Sequence, residues 1–341
     1  MSGPDARVHL TEEENRLGRM AVEEGFLTLE QFLEAVLYRD RKARATPLVR
    51  VLVDKGWLTE MQAEEFSRRS KAEAAPPPQE PVGRGPSGTV YRITRPGEDR
   101  PFALKVILRN PLNAPFMGAF AAKVRAAAAL DHPGFARVVE VEPRREALRI
   151  VSEFVPGRPL PEIVRGRGRL SAPTAAHVLH RVATALASAH AKRIVHGNLK
   201  PENVMIGEGG QVKLTDAGLA RVDPRFLADH VDKAGSIVYS LAPECWKRKA
   251  GPGGDLYACG VLWYFMLVGR LPFVGPTFDA IRAQHDAAPP PLPSAEGAAV
   301  PRGADDLFAR LVAKDPAERG TAAGLARALA SWRPSPQADA P

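Results

Sequence analysis

The spacing of apolar residues changes along the chain. Between about residues 10 and 70 they return at helical intervals: Leu17, Met20 and Val22, then Phe32, Leu33, Val36 and Leu37. The same stretch repeats itself. Val22-Glu-Glu-Gly25-Phe-Leu-Thr28-Leu-Glu-Gln31 recurs 31 residues on as Val53-Asp-Lys-Gly56-Trp-Leu-Thr59-Glu-Met-Gln62. Each copy reads as a helix, a glycine stop, an apolar pair, a threonine N-cap and a new helix. A compact bundle of about four short helices is expected over residues 8–70.

Residues 71–81, Lys-Ala-Glu-Ala-Ala-Pro-Pro-Pro-Gln-Glu-Pro, read as a proline-rich linker. Residues 334–341 form a similar Pro/Ala tail, expected to be disordered. Between them, over 82–333, strand-like alternation dominates to about residue 155 and helical patterns follow. The longest apolar run, Val261 to Val268, has eight residues and suits a buried core helix. It falls well short of the ~18 residues of a membrane span, and the N-terminus lacks a basic-then-apolar signal pattern.

Composition narrows the class. A chain of 341 residues has room for two domains, and 45% hydrophobic with 25% charged residues is ordinary for a soluble globular protein. Two cysteines, Cys245 and Cys259, make neither a disulfide framework nor a zinc site, and a reducing cytoplasm is the expected setting. The formal charge of +8 is uneven: residues 1–75 carry 12 basic and 14 acidic side chains, so the remainder holds +10. Such a surplus suits nucleic acid, anionic lipid or an acidic partner. The tract Arg165-Gly-Arg-Gly-Arg169 has no interleaved aromatics for base stacking, so solvated surface arginines are the preferred reading and nucleic acid is disfavoured.

The candidate chemistry lies in the second part. Gly83-Arg-Gly85-Pro-Ser-Gly88-Thr-Val90 is a glycine pattern whose backbone closes over phosphates. Fifteen residues after Val90 comes Lys105, inside the strand-like Ala103-Leu-Lys105-Val-Ile. Asp216-Ala-Gly218 follows the strand-like Val212-Lys-Leu-Thr, thirteen residues after Asn203. A carboxylate with an amide oxygen suits Mg²⁺, a hard cation.

Further motifs come in order: His196-Gly-Asn198-Leu-Lys200-Pro-Glu-Asn203, Ala242-Pro-Glu244, Asp255-Leu-Tyr-Ala-Cys-Gly260, Gly269-Arg-Leu-Pro-Phe273 and Lys314-Asp-Pro-Ala-Glu-Arg319. With these, residues 82–333 resemble the serine/threonine protein kinase family, nearest its bacterial branch. The resemblance covers about three quarters of the chain and implies an α+β, bilobal fold: a small β-rich lobe, then a helical lobe. It implies ATP and Mg²⁺ as cofactors. Lys105 would contact the α- and β-phosphates, and Asn203 and Asp216 would hold the metal. Lys200 would neutralise the transferring phosphate. Val82, Gly83, Gly85, Gly88, Val90, Ala103, Glu153, Val155 and Met205 would line the nucleotide site. Arg319 would pair with Glu244. Around the phrase G-x-L-T-x-x-Q, residues 10–70 resemble the helical N-terminal domain of type II secretion and type IV pilus ATPases. That domain carries no catalytic set here; it would either bring protein partners or stabilise the rest.

The chain also departs from the kinase pattern. Asn198 stands where the family has the catalytic aspartate. Lys123 stands where a glutamate would pair with Lys105, and Phe116 to Leu130 holds no acidic residue. At ~4 Å two lysines would repel by a few kcal/mol, so Lys123 is expected to turn to solvent. Gly197 replaces an arginine and Ala217 a phenylalanine, and Gly235 to Glu244 carries one residue more than the family's segment. Ser152 would be a small gatekeeper, and the first half of the strand entering the glycine loop is expected to be missing among Pro76–Pro78 and Pro81. Together the losses point to a pseudokinase that holds ATP and Mg²⁺ and acts as a signalling or scaffold module. The alternatives are a weakly active serine/threonine kinase moving the ATP γ-phosphate to protein, and a nucleotide-free scaffold.

Overall fold

The computed structural model describes residues 10–42, 46–72, 81–85, 88–95, 97–109, 113–219, 235–247, 249–287, 291–301 and 303–332. The chain splits into two compact units: Met1–Ala121 with Val141–Val151, and Ala122–Glu140 with Ser152–Pro341.

The first unit opens with four helices: α1 (Glu12–Glu23), α2 (Leu29–Lys42), α3 (Leu48–Asp54) and α4 (Glu60–Ala72). The sequence repeat is a repeat of hydrogen bonds. After α1 and α3 the chain turns through Gly25 and Gly56, with φ of +78° and +69°, where a side chain would be strained. Thr28 and Gln31 then bond reciprocally at 2.8 and 3.1 Å, and Thr59 and Gln62 do the same at 2.8 and 3.2 Å. These are capping boxes, each satisfying two N–H groups that a helix start leaves unpaired. Leu17, Met20, Phe32, Val36, Leu48, Leu52, Leu58 and Phe66 close the bundle core. Leu37 shares the helical period but is 41% exposed, so the apolar stripe of α2 is wider than the face it buries.

A five-stranded sheet follows, in the order β1-β2-β3-β5-β4, from β1 (Pro81–Gly85), β2 (Gly88–Arg95), β3 (Glu98–Leu108), β4 (Val138–Pro143) and β5 (Ala147–Glu153), with α5 (Met117–Ala127) between β3 and β4. Phe102, Leu104 and Val151 form a core cluster in it, with Tyr91, Ile93 and Val106 packed against them. The bundle and this sheet touch. Helix α1 lies against β3, and Arg19, 1% exposed, pairs with Glu146 in the β4–β5 turn.

The second unit holds a short antiparallel sheet, β6 (Gly157–Pro159), β7 (Val204–Gly207) and β8 (Val212–Leu214), and the helices α6 (Leu160–Arg167), α7 (Ala172–Ala191), α8 (Pro252–Val268), α9 (Phe278–Ala287), α10 (Ala304–Leu311) and α11 (Ala322–Ala330). Helix α8 contains the eight-residue apolar run and is buried nearly all round, from Leu256 to Leu267. It packs against α7 and α10. Two of its polar tips find partners: Trp263 Nε1 donates to the Ala304 carbonyl at 3.2 Å, and Tyr257 Oη lies 2.7 Å from His285 Nδ1. Burial pushes the Tyr257 phenol well above its ordinary range. Burial and Lys314 press His285 down to about 3. Cys245 and Cys259 are free and buried. No helix among the described residues is long and apolar enough to cross a membrane.

Arg319 pairs with Glu244 through both carboxylate oxygens, at 2.6 and 2.9 Å, as the motif spacing implied. It also donates to the carbonyls of Ala313, Gly253 and Lys314. Removing one partner leaves the other charge buried and uncompensated. Arg319→Leu is therefore expected to cost about 3–5 kcal/mol, read as a lower urea midpoint; a loss below about 1 kcal/mol, the worth of a surface pair, would show the ion pair to be dispensable. His285 yields a pH prediction. Between its ordinary 6.5 and about 3, the unfolded chain binds a proton that the folded chain does not. Stability should therefore fall with falling pH across that window, by up to ~1.4 kcal/mol per pH unit. His285→Gln should flatten that slope in pH-dependent denaturation; identical slopes would exclude His285 as a source.

Candidate active site

In the first unit the strands that flank the glycine loop pair antiparallel, with Gly83 opposite Val90 and Gly85 opposite Gly88. Pro81 is the first residue of β1, a place where proline is tolerated, and the register shifts between Pro81 and Gly83. The strand is thus present from Pro81 onward, while Pro76–Pro78 lie outside the described residues. Gly88 has φ of +122°, and a Cβ there would meet the Val106 carbonyl oxygen at 2.5 Å, so only glycine lets β2 approach β3 this closely. Val90 stands directly opposite Lys105, which puts both on one face, and Ala103 joins them two residues back. Phe102 and Leu104 take the other face. Lys105 is buried, Val90 half-buried and Val82 exposed.

In the second unit, Asp255 at the start of α8 organises the loop at 196–203. Its carboxylate, 2% exposed, accepts the backbone N–H of His196 and of Gly197, each at 2.9 Å, and lies 2.9 Å from His190 Nε2. The neutral His196 ring stacks on Phe135 at 6.3 Å and accepts the Asn198 N–H at Nδ1, 3.2 Å. Burial pushes the His196 pKa down, against the pull of Asp255 and Asp216. Asn198, Lys200 and Asn203 are all buried.

Asn203 Nδ2 donates to the Asn198 carbonyl at 2.7 Å, which fixes the amide and commits its Oδ1 as the acceptor end. The β7–β8 hairpin then brings Asp216 alongside. Val204 opposes Leu214, and the Thr215 N–H bonds to the Asn203 carbonyl at 3.0 Å. Asp216 has φ of +61°, a left-handed conformation that non-glycine residues seldom adopt and that clusters at functional sites. Gly218 donates its N–H to the His196 carbonyl at 2.9 Å, and a Cβ on it would meet the Lys123 carbonyl oxygen at 2.7 Å. Lys123 itself is exposed.

The expected hinge residues behave differently from one another. Val155 is 7% exposed, and Met205 sits half-buried on β7 opposite Lys213. Glu153 is tied down: its carboxylate takes both oxygens to Lys213 Nζ at 2.6 and 2.7 Å, and its N–H bonds to the Arg137 carbonyl at 2.8 Å. Any role at a ligand therefore falls to its backbone. Ala217 is buried in the core of this unit. Residues 220–234 lie outside the described residues, and Gly235–Ser240 form a 3₁₀ turn. Sequence reasoning missed Asp255, His190 and Lys213 as site-shaping residues. The signal for Asp255 was present, a lone acid opening an apolar helix; His190 and Lys213 sit in patterns with no such mark.

Residues 78–329 match the protein kinase domain family. The chain is 29% identical over 240 residues to the serine/threonine-protein kinase PrkC of Bacillus subtilis, covering 70% of this chain and 37% of PrkC. It is 34% identical over 243 residues to PknL of Mycobacterium tuberculosis, covering 70% of this chain and 60% of PknL. It therefore spans well under two thirds of these relatives' length. Among solved structures, Rad53 1-466 in complex with AMP-PNP aligns at TM-score 0.60 and 25% identity, over 79% of this chain and 69% of that one. The ordered motifs, the two-unit architecture and these matches agree: the chain belongs to the protein kinase family, on its serine/threonine side.

Proposed function

We propose that this chain is a catalytically impaired kinase, a pseudokinase, that binds ATP with Mg²⁺ and works as a signalling or scaffold module in a reducing cytoplasm. The observation that carries the reading is Asn198. It sits in a loop whose start is held by Asp255 and whose own N–H and carbonyl are bonded to His196 and Asn203, yet its side chain is a neutral amide that takes no proton from an attacking hydroxyl. A positioned base contributes roughly 10²–10⁴-fold to rate.

Nucleotide binding draws on residues that remain. Lys105 would meet the phosphates beside the glycine turn, and Asn203 and Asp216 would hold the metal. The fit is chemical. No cluster of three His, Cys, Asp or Glu side chains occurs among the described residues, and Mg²⁺ needs none, since it binds through one or two carboxylates, waters and substrate phosphates. Bound Mg²⁺ supplies charge neutralisation at the phosphates. Asn203 offers Oδ1 because its Nδ2 is committed to Asn198. The AMP-PNP in the Rad53 structure supports a nucleotide for this fold. The N-terminal bundle would bring protein partners.

A weakly active serine/threonine kinase is the second reading, favoured by Lys200 and Asn203, which stay buried next to Asn198. Phosphoryl transfer relies mainly on positioning and electrostatics.

Thermal denaturation with ATP, with and without Mg²⁺, tests the nucleotide. Ligand at about 100 times its Kd stabilises by about 2.7 kcal/mol, a melting shift of several degrees. A Mg²⁺-dependent rise is expected, absent in Lys105→Ala and Asp216→Asn; a flat titration would favour the nucleotide-free scaffold. Phosphate transfer separates the two readings. Wild-type transfer that Asp216→Ala abolishes would overturn the pseudokinase. On the second reading, Asn198→Asp raises transfer by at least ~10²-fold, and no gain on any acceptor counts against it.

A further inference from the structure

The helical bundle touches the sheet at a place connected to Lys105. Arg19 on α1 is 1% exposed and pairs with Glu23 at 3.2 Å and with Glu146. Glu146 is held from a second side, because its carbonyl accepts the N–H of Arg109 at 2.8 Å. Arg109 directly follows β3, and Lys105 lies four residues before it on the same strand. Direct contacts therefore run from α1, through the β4–β5 turn, to the end of the strand that bears Lys105. Helix α1 also lies against β3 itself.

Charge reinforces the junction. Glu24, at the end of α1, accepts both Arg69 nitrogens at 2.5 and 3.1 Å. Its carboxyl is held below the usual range by that bond first, with Arg145, the neighbour of Glu146, contributing. The pair joins a buried Arg19 to a partly exposed Glu146 whose carbonyl also holds Arg109, so it constrains where β3 ends, since removing one partner of a largely desolvated charge is costly.

We propose that Arg19 and Glu146 are positioning residues for Lys105, so that the N-terminal bundle sets the β3 strand for phosphate binding. The inference rests on the reading of Lys105 as a phosphate contact. Neither residue touches the nucleotide; both act through β3.

The test uses the full chain carrying Arg19→Met, Arg19→Lys, Glu146→Gln or the swapped pair Arg19→Glu with Glu146→Arg. Amide hydrogen exchange is measured without ligand, and affinity is measured for a fluorescent ATP analogue with Mg²⁺. Each single variant should speed exchange across Phe102 to Leu108 while α8 keeps its protection, and weaken nucleotide binding roughly 3- to 30-fold. Arg19→Lys should do the same to a smaller degree, which keeps the test open if Arg19→Met fails to fold. The swap should recover part of both. A lower melting temperature with unchanged β3 exchange and unchanged affinity would show a merely structural pair and overturn the proposal. A wild-type chain that binds no nucleotide would instead sink the reading of Lys105; β3 exchange would still decide whether the bundle controls the strand.

Discussion

Asp255 opens a helix that is otherwise apolar and buried, and three donors converge on its carboxylate: His190 Nε2 and the backbone N–H groups of His196 and Gly197. Buried N–H groups without partners are costly, so this one acid decides where the loop lies. The consequences pass along the chain in order. With His196 placed, its ring takes the Asn198 N–H; the Asn198 carbonyl then takes the Asn203 amide, and the Asn203 carbonyl takes the Thr215 N–H. Asp216 follows in its left-handed conformation. The unusual backbone at Asp216 is the last link of a sequence that starts on α8.

Such a hierarchy separates loop shape from loop chemistry. Gly197 has no side chain to read a phosphate, yet its N–H still bonds to Asp255. Asn198 lacks a carboxylate, yet its N–H and carbonyl keep their bonds. Ala217 is small, yet it stays in the core. At Gly197 and Asn198 the structural work is done through backbone atoms, not through the side chains that depart from the family pattern. Side-chain chemistry has changed at these positions without the loop losing a hydrogen bond that defines it.

Local features were legible in the sequence. The capping boxes at Thr28–Gln31 and Thr59–Gln62, the glycine stops and the buried eight-residue run all arise within a few residues or one helix, where spacing alone carries the signal. Motif order put Lys105 on a strand after the glycine loop and joined Arg319 to Glu244. The distant bonds of Asp255 and Lys213 were not legible. Asp255 bonds to a residue 59 positions away, and Lys213 reaches Glu153 across 60. The strands β6 to β8 span three or four residues each, too few for alternation to register. Leu37 was misleading because period alone does not say how wide the buried face is.

The Arg19–Glu146 pair also has a consequence in time. The bundle is built from local contacts of the kind that form quickly, and it leaves the ribosome early. Glu146 is made 127 residues after Arg19. At about 5–20 residues per second, a growing chain carries Arg19 for roughly 6 to 25 seconds before its second carboxylate, Glu146, exists. During translation Glu23, on the same helix, is the carboxylate within reach of this cation, and the junction with the sheet closes only after the β4–β5 turn has emerged.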